Sequence, residues 1–419
     1  MIDLRRLREE PAYRLGIERK RVRAGLIDEV IELDGQRREL RNEVEALRAR
    51  QNAASKEIGQ ATPDERPARI EAAGVLKAEL AAAEARLAEL ETTVDALVLQ
   101  LPNPADESVP DGGEDDGDVV KVVGDTVAAP RLDHAAFAES LGFVDAEHAA
   151  QASGSRFAYL MREAVLIELA LVQWVMGRLV SNGFTPVVPP VLVRESTMLE
   201  AGFFPTDRAQ VYEVDGGELF LVGTSEVPLA MLHQGDTFSD GDLPQRYAGF
   251  STCFRREAGT HGKDTKGIFR VHQFDKVEMF SFVEPEKSED EHERLLALEE
   301  RIFQALGVPY RVVNIAVDEL GASAAKKYDI EAWLPGQERY REVTSASNTT
   351  DYQARRLDAR YRPAPDAPPR HLHTLNGTAV AVQRTIIAVA ENHQQGDGTV
   401  EVPEVLHPYG APAVIAAAS

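Results

Sequence analysis

The sequence predicts an α+β fold: an antiparallel β-sheet domain flanked by helices, preceded by an antiparallel two-helix coiled-coil arm. Three observations point there. The first hundred residues carry heptad spacing without a long apolar run. A Pro-, Gly- and acid-rich stretch follows. Beyond it, short strand-like runs joined by tight turns outnumber helices.

In the arm, Leu33, Leu40, Leu47 and Ala54 lie seven apart, beside a row of Val30, Arg37, Val44 and Gln51. GQATPDERP at 59–67 interrupts the pattern with a turn signature. A second row, Leu76, Leu80, Ala83, Leu87, Leu90, Val94 and Leu97, steps alternately by four and three, the 3.5-residue period of a coiled coil. Two helices of about 30 residues, folded back on each other, would project roughly 45–60 Å at 1.5 Å per residue. Basic residues crowd the front of the chain, with Arg5, Arg6, Arg8, Arg14, Arg19, Lys20, Arg21 and Arg23 followed by Arg37, Arg38, Arg41, Arg48 and Arg50. That spacing suits either a solvated helix face or a surface for polyanions.

LPNPADESVPDGGEDDGD, residues 101–118, reads as an interdomain linker. VVKVVGD then reads as a strand. Residues 156–182 read as a long apolar helix ended by Gly183. Paired strands are expected at about 246–257 and 268–283, a helix at 286–306, a strand at 308–317, and a strand followed by a helix at 371–393. The order favours an antiparallel sheet over βαβ repeats. Neither GxxxxGK[ST] nor a strand-linked GxGxxG occurs, so the common phosphate-loop folds have no support.

Composition narrows the function. The chain has 419 residues, 43% of them hydrophobic and 27% charged, as in ordinary globular proteins. A formal net charge of −23 argues against nonspecific coating of nucleic acid, and no DNA partner is expected. No stretch approaches 18 consecutive apolar residues and MIDLRRLREE lacks a signal-peptide core, so we expect a cytoplasmic protein without membrane association. Cys253 is the only cysteine, which excludes an intrachain disulfide and a Cys-rich zinc site.

The chemistry concentrates in GFSTCFRREAGTHGKDTKGIFRVHQFDKVEMF, residues 249–280. Two strand-like runs flank a Gly-rich, Lys-containing loop at 258–267. Arg255 and Glu257 should share one strand face, and Arg270, His272, Phe274, Lys276 and Glu278 should alternate along the partner. An arginine fork suits a phosphate and a phenyl face suits an adenine ring. The same alternation also suits a solvent-facing hairpin laced with cross-strand ion pairs.

Here a family resemblance enters. Phe254-Arg255-Arg256-Glu257 resembles motif 2 of class II aminoacyl-tRNA synthetases. GFTPVVPP at 183–190 resembles motif 1, with Pro190 as its proline, and TLNGTAVAVQR at 374–384 resembles motif 3, ending in Arg384. GTSEVPLA at 223–230 and EVTSASNTTDYQARR at 342–356 are similar to segments of the seryl-tRNA synthetases. The resemblance covers essentially the whole chain. It implies a bacterial-type serine-activating enzyme with a class II antiparallel-sheet catalytic domain at 131–419. It also implies an N-terminal tRNA-binding domain at 1–105, whose hairpin spans about 27–100, and a linker with a leading strand at 106–130.

The resemblance further implies site roles. Arg255 and Arg384 would be catalytic. ATP would meet Arg255, Arg256, Glu257, Val271, Phe274, Glu342, Val343, Thr344, Ser345 and Arg384, with Phe274 and Arg384 enclosing adenine. Glu342 and Ser345 would hold Mg²⁺ with the phosphates. Serine would sit among Thr224, Ser225, Glu226, Glu278, Asn376 and Thr378. The tRNA would meet Arg37, Arg38, Arg41 and Arg48 on the arm and Lys263 and Lys266 on the motif 2 loop. Implied partners are L-serine, tRNA(Ser) with its long variable arm, tRNA(Sec) as a further acceptor, and a second copy of the chain. His272 is expected to be structural. Motif 3 departs from a glycine-rich strand at Ala379, Ala381 and Gln383. Two other readings stand beside this one: a paralogous ligase loading serine onto a carrier protein or into an antibiotic pathway, and a noncatalytic synthetase-like interaction protein.

Overall fold

In the computed structural model, residues 1–416 are described except 131, 240, 260–263 and 265. The chain divides into two units, residues 2–104 and the remainder.

The smaller unit opens with short helices α1 (Leu4–Glu9) and α2 (Pro11–Arg19). The heptad region forms α3 (Leu26–Gln60) and α4 (Arg66–Val98), packed against each other as a hairpin about 50 Å long at 1.5 Å per residue. Val44, Leu47, Leu76, Leu80 and Ala83 make its seam, with Ala54 and Leu87 packed alongside. The turn begins at Ala61, where GQATPDERP supplies the break. Asp34 is 1% exposed and is neutralised by Arg8, Arg37 and Arg38.

The larger unit is built on an eight-stranded sheet. Its strands are β1 (Asp118–Val123), β2 (Thr185–Val187), β3 (Gln245–Phe254), β4 (Gln273–Val283), β5 (Tyr310–Asn314), β6 (Lys326–Leu334), β7 (Arg339–Thr350) and β8 (His373–Ala381). Their order across the sheet is β1-β5-β6-β7-β8-β4-β3-β2. Every neighbouring pair is antiparallel except β2 with β3. Helix α7 (Glu163–Ser181), helix α10 (Ser288–Leu306) and helix α12 (Val382–Asn392) pack on the sheet, and the unit also holds small two- and three-stranded sheets and the short helices α5 (His134–Ser140), α6 (Ala146–Ser153), α8 (Glu195–Glu200), α9 (Glu226–Ala230) and α11 (Tyr352–Leu357). Alternation places Gly377 and Thr344 on the α10 side, where Glu299 accepts a hydrogen bond from the Thr344 hydroxyl at 3.0 Å. A Cβ at Gly377 would lie 2.8 Å from Glu299 Oε1, so glycine lets the helix approach this strand.

Several boundaries differ from expectation, for local reasons. The apolar helix starts at Glu163 rather than near 156, because Arg156 and Arg162 take positive φ and Tyr159–Leu160 pairs with Val144–Asp145. By length and composition alone α7 could cross a membrane, yet Ile167, Ala170, Leu171, Trp174, Val175 and Leu179 are buried in the main core. Residues 286 and 287 fall in a 3₁₀ turn ahead of α10, and β5 is shorter than 308–317. The acidic stretch at 101–118 is no free linker beyond Pro104. Ala105 and Val109 are buried with Val313, Ile315 and Leu320, and backbone bonds from Asp106 to Ala325 and from Val317 to Pro110, each 2.9 Å, tie it to the sheet unit. Its polar backbone is satisfied without regular structure.

The expected 246–257 and 268–283 pair is also shorter. Arg255 and Glu257 lie past the end of β3, and Arg270 and His272 lie before β4. Beyond the strand's end at Phe254, Glu257 turns to φ +50. Pairing still reaches one step beyond the strands. Arg255 N–H donates to His272 O at 3.0 Å, and His272 Nδ1–H donates to Arg255 O at 2.7 Å. His272 therefore serves the backbone.

Candidate active site

Residues directly opposite each other on adjacent strands share a sheet face. Asp329 faces Ser345, Lys327 faces Ser347, Ser347 faces Asn376, and Thr378 faces Glu278. A hairpin, β6 and β7, and two strands distant from it and from each other in sequence, β8 and β4, thus deliver polar side chains to one surface. That surface floors a cavity lined by Thr224, Glu226, Arg255, Val271, Phe274, Glu278, Glu342, Val343, Thr344, Ser345, Asn376, Thr378 and Arg384. All of these were expected from the sequence.

One end of the cavity is carboxylate-rich. Glu226, at the start of α9, is 7% exposed and accepts a hydrogen bond from Gln353 Nε2 at 2.7 Å. Glu278 is 2% exposed, accepts from the Thr378 hydroxyl at 3.1 Å and pairs with Lys276. Burial, and then the charge of Glu278, push the Glu226 carboxyl up to about 7. Two buried carboxylates sharing one lysine leave this end short of positive charge, which is the condition for taking an ammonium group.

The other end is cationic and aromatic. Arg255 lies over the Phe274 ring at 5.2 Å and donates to Gly223 O at 3.3 Å. Arg384 lies over the Phe269 ring at 4.8 Å and bonds Glu342 Oε2 at 3.0 Å. Burial opposes charge on Glu342, but the Arg384 and Lys327 cations hold its carboxyl below the usual range, so it is ionised. Ser345 lines the same cavity, and an ionised carboxylate with a serine hydroxyl is a hard oxygen pair of the kind Mg²⁺ accepts.

Some expected residues stand elsewhere. Ser225 does not line the cavity: its hydroxyl donates to Gly249 O at 3.3 Å within the core. Arg256 is exposed, with its backbone N–H bonded to Gln210 O at 2.8 Å. Glu257 is engaged by Arg270 at 2.6 Å instead of facing the cavity. The Thr344 hydroxyl is turned to Glu299 under the sheet. Lys266 is exposed, and Lys263 lies outside the described residues. On the arm, Arg41 pairs with Glu91, Arg48 with Glu84 at 2.6 Å, and Arg37 with Asp34 at 2.5 Å, so these arginines carry acidic partners. Phe269, Lys276 and Lys327 line the cavity although the sequence assigned them no role. Phe269 had a visible signal, as an aromatic residue closing a polar Gly-rich loop. Lys276 sits two residues from Glu278 on one strand. Nothing local separates Lys327 from Lys326.

An antiparallel sheet that aims an arginine, an aromatic ring and carboxylates into one cavity is the catalytic core of a class II aminoacyl-tRNA synthetase. Sequence comparison agrees: residues 211–393 match the tRNA synthetase class II core domain (G, H, P, S and T), and residues 1–105 match the seryl-tRNA synthetase N-terminal domain. A serine–tRNA ligase of Acidothermus cellulolyticus is 48% identical over 412 residues, covering 98% of both chains. The solved seryl-tRNA synthetase of Pyrococcus horikoshii complexed with ATP superposes with a TM-score of 0.94 at 39% identity, covering 100% of both chains. The cytoplasmic serine–tRNA ligase of Naegleria fowleri in complex with AMP gives 0.89 at 33%, over 100% of this chain and 99% of that one. The chain belongs to the seryl-tRNA synthetase family.

Proposed function

We propose that this chain activates L-serine with ATP and transfers it to the 3′ end of tRNA(Ser), as a cytoplasmic homodimer. The observation that carries the reading is the polarity of the cavity, with buried carboxylates at one end and Arg255, Phe274 and Arg384 at the other. Serine presents an ammonium and a hydroxyl to the first, and ATP presents its base and phosphates to the second.

The serine carboxylate is already ionised near neutral pH, so attack on the α-phosphorus needs no general base. Catalysis reduces to positioning and charge stabilisation. Arg255 holds the α-phosphate and Phe274 stacks on adenine, with Arg384 closing the other face. Val271 meets the base through its backbone. Glu342 and Ser345 would hold Mg²⁺, which neutralises phosphate charge when bound. Thr224, Asn376 and Thr378 shape the serine end. A site that hydrogen-bonds the substrate hydroxyl rejects an analogue lacking it by about 10⁴–10⁵, because its own polar groups are left unpaired. Alanine is excluded on that ground. Arg256 and Glu257 stand outside the cavity, and Ser225 acts by supporting Gly249.

The long hairpin supports an arm that embraces the variable arm of the tRNA. Exposed Leu166, Leu169 and Val180 on α7, with Val188 at 80% exposed, form an apolar surface suited to a second copy. The test is transfer of labelled serine to tRNA with a long variable arm. Serylation by the full chain, lost on deleting residues 30–97 while adenylate still forms, is the expected result. Adenylate without transfer by the full chain would indicate a carrier ligase. No activation at all would indicate an interaction protein.

A further inference from the structure

Lys327 holds no role in the site as assigned so far. It stands on β6 opposite Ser347, and its ammonium lies 3.2 Å from Asp329 Oδ1. That oxygen is buried and accepts no hydrogen bond. The contact is a charge contact that engages at most one of the lysine's donors. An ammonium has three donors to offer. Lys327 lines the cavity that holds Arg255, Glu342 and Ser345, and it also lines an adjoining chamber of mixed charge, where Arg270, Arg341 and Arg384 stand among acids such as Glu114, Asp115 and Glu331. Those three arginines are engaged, Arg270 by Glu257 at 2.6 Å, Arg341 by Asp264 at 2.6 Å and Arg384 by Glu342 at 3.0 Å. Burial opposes charge on Lys327, but Asp329 and Glu342 outweigh it and keep the lysine protonated, while Arg255 repels it across the cavity. Two cations held near each other are relieved when a polyanion sits between them.

Strand order sets the direction. Glu278 is on β4 and Asn376 and Thr378 are on β8, whereas Lys327 is on β6, with β7 between. Displacement at phosphorus places the attacking and leaving oxygens roughly in line. Serine approaching from the β8 and β4 side drives the leaving group toward β6. We propose that Lys327 is a ligand of the departing pyrophosphate, at the junction between the nucleotide cavity and the chamber through which pyrophosphate leaves, with Asp329 as its positioning residue. This rests on the serine-activation reading. The bond formed joins a serine carboxylate oxygen to the α-phosphorus. The bond broken joins that phosphorus to the oxygen bridging to the β-phosphate, whose electron pair stays with pyrophosphate. Negative charge therefore rises on the group that Lys327 faces, and no proton has to move.

The experiment is serine-dependent exchange of labelled pyrophosphate into ATP, using the full chain, Lys327→Met, Lys327→Arg and the double variant Lys327→Met/Asp329→Asn. The double variant removes the acid that Lys327→Met would leave buried without its cation. We expect both Met variants to raise the KM for pyrophosphate at least about tenfold and to lower kcat about 10²-fold, the scale of one lost charge-assisted contact in a transition state. The serine KM stays within about twofold, and arginine restores most of the loss. Unchanged exchange in folded double variant overturns the inference, as does a shift confined to the serine KM, which would place the ammonium on the serine carboxylate. Absence of exchange in the unmodified chain would overturn the serine-activation reading and this inference with it.

Discussion

The arm and the sheet use charge in opposite ways. On the arm, Arg48–Glu84 at 2.6 Å and Arg86–Glu43 at 3.1 Å bridge α3 and α4 with all four side chains at least 42% exposed. Pairs of that kind contribute about 0–1 kcal/mol. The seam of Val44, Leu47, Leu76, Leu80 and Ala83 holds the hairpin, and its surface charges add little to that. In the sheet, Lys276 and Glu278 are paired with side chains 7% and 2% exposed. A buried pair is rarely more stabilising than a well-packed apolar pair, and losing one partner costs about 3–5 kcal/mol. Such charges are kept for what they do to a ligand. An exposed arginine on the arm can be removed without touching the fold, whereas a carboxylate in the cavity is bound into both fold and chemistry.

The strongest way to sharpen that contrast is Glu278→Gln. The substitution keeps size and shape but leaves Lys276 without its carboxylate, and it removes a counter-ion for the serine ammonium. Serine-dependent pyrophosphate exchange should fall by about 10²–10³ in kcat/KM, the equivalent of a broken buried pair. Equilibrium binding of ATP should be retained. Loss of ATP binding as well would mean that Glu278 supports the whole cavity instead of its serine end.

The two regions also differ in how much of them can be read from residues in a row. The arm is legible because a coiled coil repeats locally: Leu76, Leu80, Ala83 and Val94 are buried, and Leu87, Leu90 and Leu97 half-buried, as their 3.5-residue period requires. The cavity is legible only through the order of several motifs. Glu278 and Thr378 touch although 100 residues separate them, and Lys327 becomes a cavity residue only once β6, β7, β8 and β4 lie in that order. No local pattern contains that order. β3 stops at Phe254 and the chain turns left-handed at Glu257, neither of which strand alternation reveals. The acidic stretch after Pro104 reads as a linker because its polar composition conceals two buried anchors, Ala105 and Val109. Ser225 stands between the cavity residues Thr224 and Glu226, yet at the N-cap of α9 its hydroxyl is taken by Gly249 O in the core.

A second test exploits the buried acids through pH. Glu226 is pushed up to about 7 by burial and by Glu278, against the opposing effects of Gln353, Lys276 and Arg255. The folded, unliganded chain therefore holds a proton there that the unfolded chain releases near its ordinary carboxylate pKa. This group's contribution to stability is lost as pH rises toward 7. Serine binding runs the other way, because its ammonium favours ionised Glu226. The KM for serine should fall by up to about tenfold between pH 6 and pH 8, since one pKa unit corresponds to a factor of ten. Measured in the exchange reaction, the slope should vanish in Glu226→Gln. A slope that survives in that variant would assign the proton to another group.

The smallest expected effect lies on the arm. Arg48→Ala removes an exposed pair with Glu84 and should change thermal stability by less than about 1 kcal/mol, with serine activation unaltered. Its consequence belongs to tRNA. If Arg48 exchanges Glu84 for a phosphate on binding, the KM for tRNA should rise severalfold and the salt dependence of binding should lose about one unit of slope. Glu84→Ala then acts in the opposite sense. It frees Arg48 from its competing acid and should tighten tRNA binding most at low salt, where exposed charges are least screened. Titrating labelled tRNA against both variants at several salt concentrations separates the cases. Opposite shifts make the cross-helix pair a latch that opens onto the nucleic acid. Unchanged affinity and slope in both variants would return Arg48 to the hairpin as a surface pair, and leave tRNA recognition to other arm residues.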